Sequence, residues 1–440
     1  MSKVRTEGIR DTFLDLGDKT IKELGFVVMY VDLNSCFATT EQQARPKLRG
    51  KPVAILNRLV DNSAIIAASI EAKALGIKVG MRADEARTIC KSTIFAETEP
   101  SKYIYVHEKL KTILKSYSPK ILMKSIDEGL VDLSEASEEV RNMTPKALAL
   151  EIKERLKTEV GCYMKCNVGF SYNRFLAKLA GELHKPDGMD CITHNNIYDV
   201  FSHLKLTDLP GINKKTEKRL KIYGIDTPVK LLDTDEEVLR IQVFNSIEGT
   251  KWYYRLRGIE TDEREEKTKS IGRQFVLAPD TSPEDVRIRL AHLAEDVGFR
   301  LRGQDLYARG IYVWVTFNLT EHSFTAHKNY LKDETFNTDS DIINFSKELY
   351  DQIITENKGK SNNPRIIGVS LYKLEDDETM QLSFEHEKSE KAKKVAKVVD
   401  EINHRFGSRT VHSAYTLKSN DMHTKIPFGS TRYLDKNIGK

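Results

Sequence analysis

Two carboxylates stand where a buried strand should be apolar. The stretch 121–133, ILMKSIDEGLVDL, reads as one β-strand, yet Asp127 and Glu128 interrupt it between Ile126 and the pair Leu130-Val131. An earlier apolar run, FVVMYVD from Phe26 to Asp32, also ends on an acid. An ionised carboxylate inside a sheet costs several kcal/mol unless it is paired or bound to metal. Alternation puts Asp127 and Glu128 on opposite faces of an ideal strand, so both reach one site only if the chain twists or Glu128 enters from the edge. Three hard oxygen ligands suit Mg²⁺, which takes further ligands from water and substrate phosphates. Two such ions bridged by shared carboxylates activate an attacking oxygen and stabilise a leaving one. The pattern alone supports a metal site of unstated purpose, because acids at strand ends also form caps and surface pairs.

The surrounding pattern is α/β. Asn34 to Arg45 lacks turn signals and reads as a helix in which Glu41 is an ordinary solvated residue. Pro46 and Gly50-Lys51-Pro52 mark a turn before another strand. SAIIAAS leads into two short helical pieces broken at Gly76 and Gly80, and a long periodic helix runs from about Tyr103 to Ser116. A helix over Pro145 to Glu159 precedes strand CNVGFS and helix NRFLAKLAGELHKPDG. From Ile197 short helices take over, and the charged GIETDEREEKTK, 258–269, reads as an extended linker. From Ser270 a βαββαβ set begins, with a strand near Ser323 to Leu331, and the segment after Leu417 is polar.

Bulk properties narrow the class. A chain of 440 residues exceeds one ordinary core. No apolar run is long enough for a bilayer and the N-terminus lacks a signal-peptide core, so a cytoplasmic location is expected. The net charge of +4 permits nucleic-acid binding without arguing for it. Five scattered cysteines fit reduced thiols better than disulfides. Cys162, Cys166, Cys191 and His194 lack zinc-knuckle spacing, and the cysteines read as small apolar core residues.

YVDLNSCFATTEQ followed by KSIDEGLVDLS closely resembles the two acidic motifs of Y-family DNA polymerases, the bacterial polymerase IV and UmuC-like group. The resemblance runs in order from about Phe26 to Leu417. It implies an α+β multidomain right hand: an N-terminal extension (1–25), a catalytic palm (26–35 and 92–188), small fingers (36–91), a helical thumb (189–257), the linker (258–269), a little finger (270–417) and a tail (418–440). It also implies low-fidelity translesion synthesis, adding dNTPs to a primer 3′-OH with two Mg²⁺ ions, for which Mn²⁺ can substitute. Asp32, Asp127 and Glu128 become side-chain metal ligands and Leu33 contributes its carbonyl oxygen. Ser125 supports the acidic pair, and Asp132 is structural. Phe37 falls on the steric-gate position beneath the incoming sugar. The N–H groups of Ser35, Cys36 and Phe37 face the triphosphate. Lys73 and Lys185 match basic triphosphate positions; Lys73 stands where Arg is common in the family and makes a point-charge contact instead of a fork. Ile70 and Ala67 replace residues that supply side-chain hydrogen bonds in many relatives, which weakens the expected grip on the triphosphate.

LPGINKKTEKRL resembles a helix-hairpin-helix, in which the backbone around Gly211 and Asn213 approaches a DNA phosphate and Lys214, Lys215 and Lys218 add sequence-independent attraction. Ser270 and Arg273 are further DNA contacts implied by the resemblance, with Arg300, Arg302 and Arg309 as additional basic candidates. Gln381-Leu382-Ser383-Phe384 is similar to a sliding-clamp peptide with one residue missing, and an edge strand is an equal reading of Gln381, Leu382 and Phe384. The expected partners are primer–template DNA, a dNTP and the clamp, with no membrane, and the chain is expected to act as a monomer. A non-catalytic scaffold relative would have lost the acids, and a two-metal nuclease gives no reason for Phe37. Replacing Phe37 by Ala is expected to admit ribonucleotides, read as rNTP against dNTP incorporation; unchanged sugar discrimination refutes the gate.

Overall fold

The first apolar run becomes the spine of a sheet because neighbours cover it on both edges and both faces. The computed structural model describes residues 8–14, 16–261, 268–278, 281–318, 323–358, 364–376, 386–407, 409–419 and 422. The chain divides into two units, one described over 8–261 and the other from 268 onward.

The strands of the first unit are β1 (Val28–Leu33), β2 (Val53–Leu56), β3 (Ile65–Ala68), β4 (Ile94–Glu97), β5 (Ile121–Met123), β6 (Glu128–Asp132), β7 (Cys166–Ser171) and β8 (Met189–Cys191). They form a five-stranded sheet in the order β5-β6-β1-β7-β8 and a three-stranded sheet in the order β3-β2-β4. β1 runs antiparallel to both β6 and β7. Its alternation is strict. Met29 and Val31 enter a cluster with the helices Pro100–Lys115 and Pro145–Glu159, whereas Tyr30 packs with Leu130 and Ala177 on the other face. Asp32 and Glu128 continue that second face, which the helix Arg174–Leu183 covers. A Cβ on Gly169 would lie 2.2 Å from the Ala177 carbonyl oxygen, so only glycine lets this helix approach β7 so closely.

The structure replaces the single strand expected over 121–133 with a hairpin. Lys124 and Ser125 donate their N–H groups to the Glu128 carbonyl at 3.0 and 3.4 Å, closing a turn between β5 and β6. The polar insert cannot be buried in mid-strand, so the chain reverses there. Asp127 therefore lies in the turn, and alternation does not separate it from Glu128.

Short helices follow: Ile197–Ser202, Lys214–Ile222, Pro228–Asp233 and Ile247–Leu256. Leu209, Ile212, Leu220, Leu239 and Trp252 form their common core.

In the second unit β9 (Ser270–Val276), β10 (Leu306–Asn318), β11 (Ser323–Phe336) and β12 (Pro364–Asp376) form an antiparallel sheet in the order β11-β10-β12-β9. The helices Pro283–Arg302 and Asp339–Glu356 complete the expected βαββαβ set. β11 runs five residues beyond its expected end at Leu331. A helix at His386–Phe406 was not foreseen, because its charged residues mask the apolar spacing of Val395, Ala396 and Val399. No described helix is long and apolar enough to cross a membrane.

One buried histidine makes this unit acid-sensitive. His292 is 1% exposed, with its Nδ1 2.9 Å from the Ser419 hydroxyl. Burial, with Arg409 and Arg273 nearby, holds its pKa down at about 3. A histidine whose pKa is lower folded than unfolded binds fewer protons when folded, so stability falls as pH drops below roughly 6.5. Urea unfolding of the second unit is expected to lose up to about 1.4 kcal/mol per pH unit from this group between about pH 6 and pH 4.5. A His292→Gln variant should show a correspondingly shallower slope, and an identical slope would refute the assignment.

Candidate functional site

Strand pairing brings the acids together. Asp32 at the end of β1 stands directly opposite Glu128 at the start of β6, and paired residues share a face. Asp127 is tied into the adjoining turn: its carbonyl accepts the Leu33 N–H at 2.9 Å, and its Oδ1 accepts the Ser125 hydroxyl at 2.5 Å. The serine thus orients the acid, as expected. Asp132 caps the next turn through the Ser134 N–H and pairs with Lys120, a structural role.

The covering helix and the loop after it supply the counter-charges. Lys185 Nζ lies 2.6 Å from Asp32 Oδ2 and 2.7 Å from Glu182 Oε1. Lys178 Nζ lies 2.8 Å from Glu128 Oε2, and the same oxygen accepts the Tyr30 hydroxyl. These placements decide the ionisation of each acid. Burial pushes Asp32 up to about 7, with Lys185 pulling it down and Asp127 pushing it further up. Asp127 is raised by burial and by Glu128, against the pull of the Ser125 hydroxyl. Glu128 falls below its ordinary value, because Lys178 and Tyr30 outweigh the burial that would raise it. Among the described residues no three His, Cys, Asp or Glu side chains are already gathered closely enough to hold a metal. Lys185 and Lys178 draw Asp32 and Glu128 to separate ammonium partners. The donors are nonetheless hard oxygens, Asp32 and Glu128 on one face with Asp127 in the adjoining turn, and the Lys185 ammonium already places positive charge against Asp32, so the set fits a divalent cation.

Other expected residues gather at the same end of β1. Ser35 adopts φ 52° and opens the helix Cys36–Ala44 without capping it through its side chain. Cys36 and Phe37 follow in the first turn, at 3% and 4% exposure. Phe37 stacks on Tyr103 with ring centroids 4.0 Å apart and planes 4° from parallel. Lys73, on the helix Ile70–Ala74, senses Lys185, Asp32, Asp127 and Glu182; desolvation and Lys185 push its ammonium down.

Sequence reasoning placed Glu41 in solvent, and the structure corrects this. Glu41 is 0% exposed, 2.9 Å from Lys102 and 3.6 Å from Arg45, and accepts the Tyr103 hydroxyl at 3.3 Å. A carboxylate buried this deeply persists because it is paired; Arg45 is a local i, i+4 partner, but Lys102 and Tyr103 come from a helix some sixty positions away in sequence, beyond local pattern. Tyr30, Lys178 and Glu182 were also missed. The i, i+4 spacing of Lys178 and Glu182 was the available signal. Beside Glu128 lies a cavity of about 300 Å³ lined by Tyr30, Lys124, Arg174, Lys178 and Arg255 among others. Its basic lining suits a phosphate-bearing strand.

At the hairpin, Gly211 takes φ +93°, a conformation that favours glycine. Asn213 Oδ1 accepts the Lys215 and Thr216 N–H groups at 2.9 and 3.0 Å, so its side chain caps the helix. Lys214, Lys215 and Lys218 are exposed. In the second unit Ser270 is exposed, but Arg273 is paired with Asp296, Arg300 donates to the Gly272 carbonyl and Arg309 pairs with Glu375. Arg302 is a clear correction. Its side chain is 9% exposed and held by Asp339 at 2.8 Å and Asp400 at 2.6 Å, so it braces the unit's interior and is not an exposed basic group. Gln381, Leu382 and Phe384 lie outside the described residues. Cys166 and Cys191 belong to the core of the five-stranded sheet, whereas Cys162, also expected in the core, is exposed because it lies in the turn ahead of β7.

Residues 31–182 match the impB/mucB/samB family and residues 268–384 match the impB/mucB/samB family C-terminal domain. DNA polymerase IV of Staphylococcus epidermidis is 28% identical over 360 residues, covering 81% of this chain and 98% of that protein. DNA polymerase IV 1 of Bacillus subtilis is 27% identical over 411 residues, covering 91% and 95%. Among solved structures, the Y-family DNA polymerase chimera Dbh-Dpo4(243-245)-Dbh aligns with TM-score 0.68 at 22% identity, covering 80% of this chain and all of that one. An insertion ternary complex of Dbh DNA polymerase aligns with TM-score 0.54 at 23% identity, covering 79% and 98%.

Removing the Arg302 guanidinium leaves two partly buried aspartates unpaired. Arg302→Ala is expected to cost about 3 kcal/mol of unfolding free energy in the second unit. A variant of unaltered stability that binds DNA more weakly would restore the DNA-contact reading.

Proposed function

This chain belongs to the Y family of DNA polymerases, and on that premise we propose that it performs low-fidelity, template-directed translesion synthesis, with Asp32, Asp127 and Glu128 as its metal-binding acids. The observation that carries the site assignment is the pairing of Asp32 with Glu128 across β1 and β6, with Asp127 in the adjoining turn. In this reading the five-stranded sheet is the palm, the β3-β2-β4 sheet with its short helices the fingers, the helices over 197–256 the thumb, and the second unit the little finger.

The three acids, with the Leu33 carbonyl, would hold two Mg²⁺ ions, which would supply Lewis-acid activation of the primer 3′-OH and charge neutralisation at the phosphates. The chain's own groups position the reactants. Lys185 and Lys73 take the triphosphate, and the amides of Ser35, Cys36 and Phe37 meet its oxygens at the helix start. Lys185 exchanges its partner Asp32 for phosphate as the nucleotide arrives. The Phe37 ring, fixed against Tyr103, lies under the sugar and excludes a 2′-OH. The basic cavity beside Glu128 accepts primer phosphates, and Gly211 with Lys214, Lys215 and Lys218 holds the duplex further back. The primer 3′-oxygen then attacks the α-phosphate in line and pyrophosphate leaves; positioning and charge stabilisation supply the rate. The chain works as a monomer in this reading. Gln381, Leu382 and Phe384 support a sliding-clamp contact from their sequence alone.

Primer extension with Mg²⁺ tests the proposal. The Asp127→Ala, Glu128→Ala double variant is expected to lose at least roughly 1,000-fold in extension rate while still binding primer–template DNA. No extension by the intact chain would sink the polymerase reading, and degradation of the DNA would favour a metal-dependent nuclease.

A further inference from the structure

Residues 9–14 and 16 lie ahead of the first family match, which begins at residue 31, yet they are built into the first unit. Ile9 enters the core of the short helices, and Phe13 and Leu16 enter the core of the five-stranded sheet. Between them Thr12, 8% exposed, donates its hydroxyl to Asp190 Oδ1 at 3.0 Å and accepts the Cys191 N–H at 2.9 Å. Asp190 is 1% exposed, and its Oδ1 lies 2.7 Å from His184 Nδ1. Asp190, and to a lesser degree the Ile9 main chain, raise the His184 pKa above its ordinary value against the effect of burial. A carboxylate this buried is stable only with partners, and Thr12 and His184 provide them.

His184 closes the helix Arg174–Leu183, and the next residue is Lys185. The loop that presents Lys185 is thus held from two sides. On one side Asp187 donates its N–H to Asn34 Oδ1 at 2.7 Å, and the buried Lys153 donates to the Asp187 carbonyl and carboxylate at 2.6 and 2.8 Å. On the other side stand His184, Asp190 and residues 9–12. A lysine with four side-chain torsions reaches a fixed phosphate efficiently only when its backbone is fixed.

We propose that residues 9–12 are a positioning element of the nucleotide site, fixing the backbone of Lys185 through Asp190 and His184. The proposal rests on the assignment of Lys185 to the triphosphate. Thr12 acts through Asp190 and His184 and touches no substrate. Its loss weakens the nucleotide complex and spares the DNA complex, because the proposed DNA contacts on this helix, Arg174 and Lys178, precede His184 by a turn or more and the others sit on other elements.

The test uses the full chain with Mg²⁺ and a primer–template whose primer ends in a dideoxynucleotide, so that binding is read without turnover. Thr12→Val is expected to raise the Kd of the correct dNTP about fivefold, with the primer–template Kd unchanged. Thr12→Ser should restore wild-type affinity to within about twofold, since it keeps the hydroxyl. His184→Gln, which breaks the same chain at its other end, should give the same split and serves if Thr12→Val does not fold. In a Lys185→Ala background Thr12→Val should add no further loss. An unchanged dNTP Kd in both single variants overturns the proposal, as does an equal loss of dNTP and DNA affinity. A silent Lys185→Ala beside a damaging Thr12→Val would overturn the Lys185 assignment and the proposal with it.

Discussion

The ion pair between Lys185 and Asp32 is the interaction on which the first unit is organised. Asp32 is desolvated by the sheet that carries it, and its elevated pKa of about 7 reports how little the fold does to keep it charged. Lys185 offsets part of that cost, at 2.6 Å. The same pressure explains Lys178 and Tyr30 on Glu128 and the hydroxyl of Ser125 on Asp127. The unit therefore carries concentrated negative charge together with its own replaceable cations. A site of this kind is stable before any ligand arrives, and under the proposed function it would exchange lysine for metal and phosphate.

Placing those cations depends on packing at a distance from the charges. The helix Arg174–Leu183 lies against β7 through Gly169 and Gly181, where any side chain would collide with backbone or with Tyr30. That close contact sets the height of Lys178 and Glu182 above the sheet. Beyond the helix, buried Lys153 and Asn34 fix the loop at Asp187. None of these groups touches the acids, yet each sets where a charge near them can stand.

Much of this was legible in the residues. Strands and helices with clear period, such as β1, β7 and the helix Pro145–Glu159, fell close to where alternation and apolar spacing put them. The three acids stood out because charge in an apolar run demands a partner. What stayed hidden depended on partners distant in sequence. The hairpin at 124–127 looked like one strand because apolar residues flank the turn on both sides. Glu41 looked solvated because Lys102, which neutralises it, lies on another helix. Arg302 looked like a surface cation because Asp339 and Asp400 are far along the chain. Thr12 gave no signal at all, since a lone threonine in a polar stretch carries no pattern.

The stack of Phe37 on Tyr103 has a consequence for how the site would respond to its medium. Tyr103 is tethered through its hydroxyl to Glu41, and Glu41 is locked in turn by Lys102 and Arg45. The ring under the proposed sugar position is thus held by packing and buried pairs, which ions in solution screen weakly. The proposed grip on the triphosphate is made of lysine point charges, which ions screen more readily. Affinity and sugar choice therefore sit on separate physical footings. As ionic strength rises, such a protein would lose its hold on nucleotides well before it lost its ability to tell deoxyribose from ribose.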